Sequence, residues 1–275
     1  MAPSANPVYG NYHGYYSKRP SVRDSRLALL PTDFFVGKTV LDVGCNEGLV
    51  TCEIGQSWGP RQVVGVDIDD TLIRAAWKRR RSLWSLQAPT VKARERTHDV
   101  STSSPPLKRV QLAQDYDSGA THYFPASCEH VFGPLPISAS GTGESQFPHN
   151  VTFRTTDWVT EDVAADEGKY DCVLAFSITK WIHLNHGDNG IKCFFRKIHK
   201  SLKPGGVLVL EPQSWDTYAK ARRMDQRLRE NAKHLQLRPQ DFSSLLQELG
   251  FGPPQHLGST GEGGFHRPVD LHFKI

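Results

Sequence analysis

A glycine-bounded turn near the start of the chain has the features of a nucleotide-cofactor site. The stretch Val40–Gly48 reads Val-Leu-Asp-Val-Gly-Cys-Asn-Glu-Gly, a buried strand that ends in a turn. Glycines there let the backbone approach a ligand closely, and the helix that follows offers N–H groups. Asp67 ends the next predicted strand, where a carboxylate can accept hydrogen bonds from two ribose hydroxyls. The pattern predicts a ribose-containing cofactor at this edge of the sheet.

The spacing of the turn and its neighbouring acid indicate which cofactor binds. The turn Gly44–Gly48 has Gly-x-x-x-Gly spacing, so it lacks the Gly-x-Gly-x-x-Gly pattern of dinucleotide sites and the Gly-Lys-Ser/Thr ending of a phosphate loop. Asp42, inside the first strand, attracts a cationic sulfonium and repels a pyrophosphate. We therefore expect S-adenosylmethionine rather than a nicotinamide dinucleotide. The plain alternative is a tight turn without a ligand.

Asp157 and Trp158 follow the third predicted strand and are candidates for adenine recognition. Asp157 could accept from the adenine amino group, and Trp158 could pack on the ring face. The alternative is purely structural, with Asp157 capping a helix and Trp158 in the core.

Polar side chains follow the fourth and fifth predicted strands, and they predict a second, substrate-binding pocket. The block Ser177–Gly190 reads Ser-Ile-Thr-Lys-Trp-Ile-His-Leu-Asn-His-Gly-Asp-Asn-Gly, and Glu211–Trp215 reads Glu-Pro-Gln-Ser-Trp. Ligands of open α/β sheets bind at the carboxyl ends of strands. The candidate catalytic residues are Lys180, His183, Asn185, Glu211, Gln213 and Trp215.

These residues alone leave three kinds of acceptor open. An RNA end would use Lys180 against phosphate and aromatic rings for stacking. A metal-assisted 2′-hydroxyl acceptor would use His183 and His186 as ligands, but no pair of glutamates completes such a site. A small molecule or peptide would need only some of these groups. We expect no bound metal, and we interpret the histidines as hydrogen-bonding residues.

The order of elements positions these residues on one sheet edge. Predicted strands at 37–44, 61–69, 150–155, 170–177, 207–212 and 267–275 are separated by helices, which indicates a doubly wound, mostly parallel α/β sheet. From 88 to 149 the chain is rich in Ser, Thr, Pro, Gly and His, so we expect a mostly disordered insertion. Residues 9–30 are aromatic and basic and could form an N-terminal lid. We expect a single domain over 1–275.

The composition is that of a packed globular domain and not that of a disordered, disulfide-rich or membrane-spanning protein. The 275 residues are 38% hydrophobic and 23% charged, which suits a packed globular domain. The formal net charge of +4 is compatible with an anionic partner. The five cysteines have no Cys-x-x-Cys spacing, which indicates reduced thiols in an intracellular protein. We expect no signal peptide and no membrane span.

Taken together, these motifs resemble the methylphosphate capping enzymes of the bicoid-interacting family of RNA methyltransferases. The most specific run is Ile-Thr-Lys-Trp-Ile-His-Leu-Asn followed by Glu-Pro-Gln-x-Trp. Other matching pieces are YGNYHGYYSKRP, DSRLALLP, VLDVGCNEG, VVGVDIDDTLI, LKPGGVLVLEPQSW, LQLRPQDFSSLL and GFHRPVDLHFK. The resemblance implies a seven-stranded methyltransferase fold and methyl transfer to a 5′-terminal phosphate oxygen of RNA. Members act on triphosphate ends of small nuclear RNA such as 7SK, or on monophosphate ends.

The resemblance also implies which residues contact the cofactor. They are Tyr16, Arg26, Gly44, Cys45, Asn46, Asp67, Ile68, Asp157, Trp158 and Phe176. The family usually has Asn-Tyr in place of Asp157-Trp158, and it favours Pro in place of Ser214.

On the substrate side, we assign Lys18, Arg19 and Lys180 to the RNA phosphates as charge-assisted donors. His183, Asn185, Gln213 and Trp215 would shape the site of the terminal nucleotide. Glu211 would orient Lys180 or His183, or simply end its strand.

The expected partner is RNA with a 5′ phosphate, bound by a monomer that could also meet RNA-binding proteins. The basic run Trp77–Ser82 suits a nuclear import signal, an RNA contact or a solvated helix face, and we favour the nucleus over the cytoplasm. Three rivals remain: a methyltransferase of a small molecule, a protein or an RNA ribose or base; a non-catalytic RNA-binding scaffold; and a nicotinamide dehydrogenase, for which the glycine spacing is wrong.

Overall fold

The computed structural model describes residues 7–15, 23–87, 126–137, 145–161, 164–261 and 266–275. Contacts divide the chain into a main unit, Met1–Arg80 with Ser138–Ile275, and a small unit, Arg81–Ile137. The main unit contains the whole sheet. In the small unit the structure describes the end of one helix and a second, short helix. The single domain over 1–275 stays a prediction.

Seven strands form one sheet, and six of them coincide with strands predicted from the sequence. They are β1 (Thr39–Val43), β2 (Gln62–Asp67), β3 (Val151–Thr155), β4 (Tyr170–Phe176), β5 (Leu202–Glu211), β6 (Gln255–Thr260) and β7 (Arg267–Phe273). Their order is β3-β2-β1-β4-β5-β7-β6. Strands β1 to β5 run parallel, whereas β7 pairs antiparallel with β5 and β6. The predicted doubly wound, seven-stranded, mostly parallel sheet is confirmed.

The strand that the sequence did not reveal is β6, at the edge of the sheet. None of its six residues is buried, so it lacks the apolar alternation that predicts a strand. Its backbone pairing with β7 is what makes it a strand.

Seven helices lie in the described parts of the chain. They are α1 (Leu49–Ser57), α2 (Asp70–Ser85), α3 (Ala126–Phe132), α4 (Thr179–Ser201), α5 (Tyr218–Ala221), α6 (Gln226–Lys233) and α7 (Phe242–Glu248). Helix α3 falls inside the range 88–149, where the polar composition predicted no helix, and most other residues of that range lie outside the described ones. Among the described helices, none has both the length and the apolar character needed to cross a bilayer.

Helix α4 begins at Thr179, directly after the short turn that follows β4. Its two halves meet at Gly187, whose φ of 67° is not helical. The first half buries Trp181, Ile182 and Leu184. The predicted substrate-binding block Ser177–Gly190 therefore contains a helix rather than an open loop.

Two apolar clusters hold the site elements in place. The larger one packs the sheet against the second half of α4 and against α7, with Phe194, Phe195 and Leu246 fully buried. The smaller one joins the first half of α4 to α5 and α6 through Trp181, Leu184, Tyr218, Ala221, Leu228 and Leu235. Burial of a large apolar side chain stabilises by about 1.5–3 kcal/mol, so the short helices α5 and α6 are fixed beside the carboxyl ends of β4 and β5.

Candidate active site

The turn after β1 has the backbone geometry that its glycines predict. Gly44 has φ 77°, and a Cβ there would lie 2.7 Å from the side chain of Ile178. Gly48 has φ 72° and precedes α1, and a Cβ there would collide with Phe153. Asn46 is one of two described non-glycine residues with positive φ, at 52°. A larger residue at position 44 would therefore need the space beside Ile178.

Asp67, the last residue of β2, is fixed by two backbone donors. Its carboxylate accepts from Asn46 N at 2.9 Å and from Asp69 N at 3.0 Å. Burial raises its pKa above the ordinary value, an effect that these hydrogen bonds oppose. A carboxylate has about four acceptor positions, so capacity remains for two ribose hydroxyls.

A first cavity opens over this turn at the carboxyl edge of the sheet. Seven of the predicted cofactor residues line it, namely Gly44, Asn46, Asp67, Ile68, Asp157, Trp158 and Phe176. The described lining also includes Tyr9, Gly10, Asn11, Val43, Val66, Thr156, Val159, Ser177, Ile178, Trp181, Ile182 and His186. The structure thus brings most of the predicted cofactor residues together around one space, although their binding role stays a prediction.

Asp42 is absent from the described lining of this cavity, and its role as a cofactor contact stays a prediction. Its side chain is buried in the strand and accepts from Thr51 Oγ1 at 2.6 Å. Burial raises its pKa to about 6. Asp42 joins β1 to α1 beneath the turn. Cys45, within the turn itself, is also buried and absent from the described lining.

Arg26 is also absent from the described lining of the first cavity, and its predicted cofactor contact stays a prediction. It lies in the protein interior, where its guanidinium pairs with Asp24 at 2.6 Å and with Glu211 at 2.8 Å. The same guanidinium lies 4.3 Å from the centre of the Phe176 ring. Arg26 therefore supports a cavity residue from behind instead of lining the cavity. Tyr16 lies outside the described residues.

Asp157 and Trp158 adopt the structural alternative. Asp157 Oδ1 accepts from the backbone N–H groups of Val159 and Thr160, as a turn cap does. The Trp158 indole is 2% exposed, donates to Asp166 at 3.3 Å and packs edge-on against Phe194. Trp158 is nevertheless among the residues that line the first cavity, and its stacking on adenine stays a prediction.

The described N-terminal segment, residues 7–15, crosses both ends of the site, and we call it the strap. Asn11 donates to Asp69 at 2.6 Å, and Tyr12 O accepts from Asn46 at 3.1 Å. Gly10 lies against the Trp181 indole so closely that a Cβ would be 2.2 Å from it. These contacts place the strap where the sequence suggested a lid, and its opening and closing stay a prediction.

A second cavity of about 410 Å³ adjoins the first, and the two share Gly10, Gly44, Asn46, Phe176, Ser177 and Trp181. Three cationic side chains line it, from α4, from α5 and from β7: Lys180, Lys220 and Arg267. Among its described lining residues there is no aspartate or glutamate. The second cavity therefore suits an anionic group.

Lys180 and Gln213 lie where the sequence predicted them, beside the acceptor space. Lys180 is 9% exposed, and burial, reinforced by Arg267, lowers its pKa to about 8. Gln213 accepts from Lys180 N at 3.0 Å and donates to the carbonyl of Ser177. Gln213 thus ties the start of α4 to the end of β5.

Three other predicted catalytic residues do not reach the described cavity linings. His183 is fully buried between Tyr218 and Asp188, and burial lowers its pKa. Asn185 donates to Val8 O at 2.8 Å and thereby anchors the strap. The Trp215 ring packs 3.9 Å from the Arg238 guanidinium. These contacts join helices or hold the strap, and the assignment of the three residues to the nucleotide site stays a prediction.

Glu211 contacts neither Lys180 nor His183 through a described hydrogen bond, contrary to the proposed orienting role. Its carboxylate pairs with Arg26 and accepts from the Ser177 hydroxyl. Lys18 and Arg19, the other predicted phosphate ligands, lie outside the described residues. Groups of three or more potential metal ligands are absent from the described part of the chain.

Lys220 and Arg267 line the second cavity, and the sequence did not single them out. Ser177 and Trp181 also line it, and they belong to the block Ser177–Gly190 from which a substrate pocket was predicted. Arg267 donates to the Ser177 hydroxyl at 2.6 Å across 90 positions of the chain. No local spacing could reveal that contact, because it depends on β7 pairing with β5. The only available signal was that GFHRPVDLHFK belongs to the family resemblance.

Comparison with known proteins gives a family and several relatives. A family model described as Bicoid-interacting protein 3 (Bin3) matches residues 170–274. The 7SK snRNA methylphosphate capping enzyme of Mus musculus is 40% identical over 97% of this chain and 40% of its own length. The U6 snRNA methylphosphate capping enzyme Amus of Drosophila melanogaster is 32% identical over 98% of this chain and 75% of its own.

A third relative is the pre-miRNA 5′-monophosphate methyltransferase of Danio rerio, which is 26% identical over 80% of this chain and 72% of its own. The chain spans about two fifths of the length of the mouse relative.

Proposed function

Because the chain belongs to the Bicoid-interacting protein 3 family, we propose that it methylates the 5′ end of an RNA. The methyl group would pass from S-adenosylmethionine to an oxygen of the terminal phosphate. The observation that carries this proposal is the second cavity, which adjoins the first and is lined by Lys180, Lys220 and Arg267. An acceptor that bears several negative charges matches this cationic lining better than a neutral base or ribose does.

The residues of the first cavity fit S-adenosylmethionine. Asp67 offers a positioned carboxylate for the ribose, and Gly44 leaves space beside Ile178 that a side chain would fill. Asp157 and Ile68 line the part of the cavity near the ends of β2 and β3 and would border the adenine. When bound, the cofactor supplies an electrophilic methyl group on a sulfonium sulfur.

The protein residues would align and bind the acceptor without removing a proton from it. A terminal phosphate is already anionic at neutral pH, so an in-line attack needs no general base. Lys180, Lys220 and Arg267 would hold the phosphate oxygens by charge-assisted hydrogen bonds. The strap would exclude water from the space that the two cavities share, where alignment of donor and acceptor lowers the barrier.

We also propose that the protein acts as a monomer in the nucleus. Support for the nucleus comes from relatives named for small nuclear RNAs.

The proposal is tested with methyl-labelled S-adenosylmethionine and one RNA sequence prepared with triphosphate, monophosphate and hydroxyl 5′ ends. We expect label on at least one phosphorylated RNA and none on the hydroxyl-ended RNA. Asp67→Ala should abolish labelling while RNA binding persists. Equal labelling of the hydroxyl-ended RNA would refute phosphate methylation, and RNA binding without any methyl product would favour the non-catalytic scaffold.

A further inference from the structure

Ser177 lies where the two cavities meet, in an unusual backbone conformation. It follows β4 directly, lines both cavities and has φ 58°. A left-handed conformation costs a non-glycine residue about 1–2 kcal/mol, so glycine would be the simplest residue here. What serine adds over glycine at this position is its hydroxyl group.

The hydroxyl of Ser177 has a fixed direction because its hydrogen-bonding capacity is used. It donates its one proton to Glu211. Its oxygen accepts from Arg267 Nη1 at 2.6 Å and from Tyr15 Oη at 3.3 Å. A serine hydroxyl has one donor and two acceptor positions, so all three are occupied.

The carboxylate that takes this proton is itself held by a buried ion-pair chain. Glu211 pairs with Arg26, and Arg26 pairs with Asp24 through two further hydrogen bonds at 2.6 and 2.8 Å. Asp24, Arg26 and Glu211 are 5%, 1% and 1% exposed, so they are rigid, mutually dependent partners.

We propose that Ser177 is a positioning residue that aims the Arg267 guanidinium at the acceptor phosphate. The inference rests on the proposed function. The buried chain fixes Glu211, Glu211 orients the serine proton, and the serine lone pair then fixes Arg267 at the junction of the cavities. Because the serine proton is given to Glu211, Ser177 does not itself donate to phosphate.

The test measures the binding preference of the full chain for 5′-phosphorylated over 5′-hydroxyl RNA, independently of catalysis. Ser177→Ala keeps the backbone strain and Ser177→Gly relieves it, so a shared effect isolates the hydroxyl. We expect both variants to lower the preference about tenfold, since a charge-assisted hydrogen bond is lost.

A double-mutant cycle separates positioning through Arg267 from a merely structural role. If Ser177 acts through Arg267, then Ser177→Ala should cost little further preference in an Arg267→Gln background. Ser201→Ala, which removes a buried hydroxyl bonded within α4, is the matched control and should leave the preference unchanged.

Two outcomes overturn the inference, and they are distinguishable. If the wild type prefers phosphate but the losses in the cycle are additive, positioning is refuted and the proposed function stays intact. The same holds if the wild type prefers phosphate and neither Ser177→Ala nor Ser177→Gly lowers that preference. Absence of any wild-type preference for phosphate would refute the proposed function and the inference together.

Discussion

Lys180 is a nearly buried cation, and its titration reports directly on the anion that it binds. Burial and Arg267 lower its pKa to about 8, while Asp216 opposes the shift. A bound phosphate would favour the charged form and raise the pKa again. Binding should therefore take up a proton when the pH exceeds about 8, and affinity should fall as pH rises through that value.

We predict that the affinity for 5′-phosphorylated RNA is constant near pH 7 and declines by up to tenfold per pH unit above about pH 8. Fluorescence anisotropy between about pH 7 and 9.5 measures it. Lys180→Met should bind more weakly at pH 7 and lose this pH dependence. A wild-type profile that matches Lys180→Met across the range would contradict the role of Lys180.

At the residue scale, the sequence revealed side chains whose position depends on the local chain. Gly44, Asp67 and Lys180 directly terminate or follow a strand, and such positions lie at the ligand edge of a parallel sheet. The burial of His183 and Asp42 could not be predicted, because the sequence gives residue type and spacing but not side-chain burial. Ser177 acts through Arg267 and Glu211, which are distant in the chain, so no local pattern could assign it.

At the scale of elements, the strap depends on Gly10. Its φ is 76°, and the Trp181 indole leaves no room for a Cβ. We predict that Gly10→Ala displaces the strap from both cavities and weakens S-adenosylmethionine binding at least about tenfold, because the strap contributes Tyr9, Gly10 and Asn11 to the first cavity. Isothermal titration calorimetry measures the change.

The control for Gly10→Ala is Gly168→Ala. Gly168 also has a positive φ, at 60°, but a Cβ there would meet nothing within 4 Å. Gly168→Ala should lower the free energy of unfolding by about 1–2 kcal/mol through backbone strain alone, and it should leave the affinity for S-adenosylmethionine unchanged. Equal cofactor affinity in Gly10→Ala and the wild type would show that the strap is not part of the site.

Elements were predictable where burial imposes a pattern on the sequence. Strands β1, β2 and β4 are apolar runs covered on both faces, and their positions were evident. The polar edge strand β6 was not evident, because its backbone pairing with β7 defines it. The first half of α4 was not evident either, because its packing against α5 and α6 defines it. Tertiary contacts decided both cases.

At the scale of the whole molecule, a mildly basic chain concentrates cations at one cavity. The formal net charge is only +4, yet Lys180, Lys220 and Arg267 line the same space. Each phosphate neutralised on single-stranded RNA contributes about −0.7 to the slope of log affinity against log salt. We predict that Lys220→Ala makes this slope shallower by about 0.7.

Lys233→Ala is the matched control for Lys220→Ala. Lys233 is an exposed lysine on α6 that pairs with Glu230 at 2.8 Å and is absent from the described cavity linings. Its replacement should leave the salt slope unchanged, as measured by titrations at several salt concentrations. The same change in slope for both variants would mean that the cavity does not bind the phosphate.

The position of the transferred methyl group tests the central claim most directly. RNA with a phosphorylated 5′ end is incubated with the protein and S-adenosylmethionine, digested with nuclease, and its terminal nucleotide is identified by mass spectrometry. We predict the added mass of one methylene on the 5′-phosphorylated nucleotide, lost when the terminal phosphate is removed together with its methyl group. A methyl group that remains on the nucleoside, on ribose or base, would contradict the account.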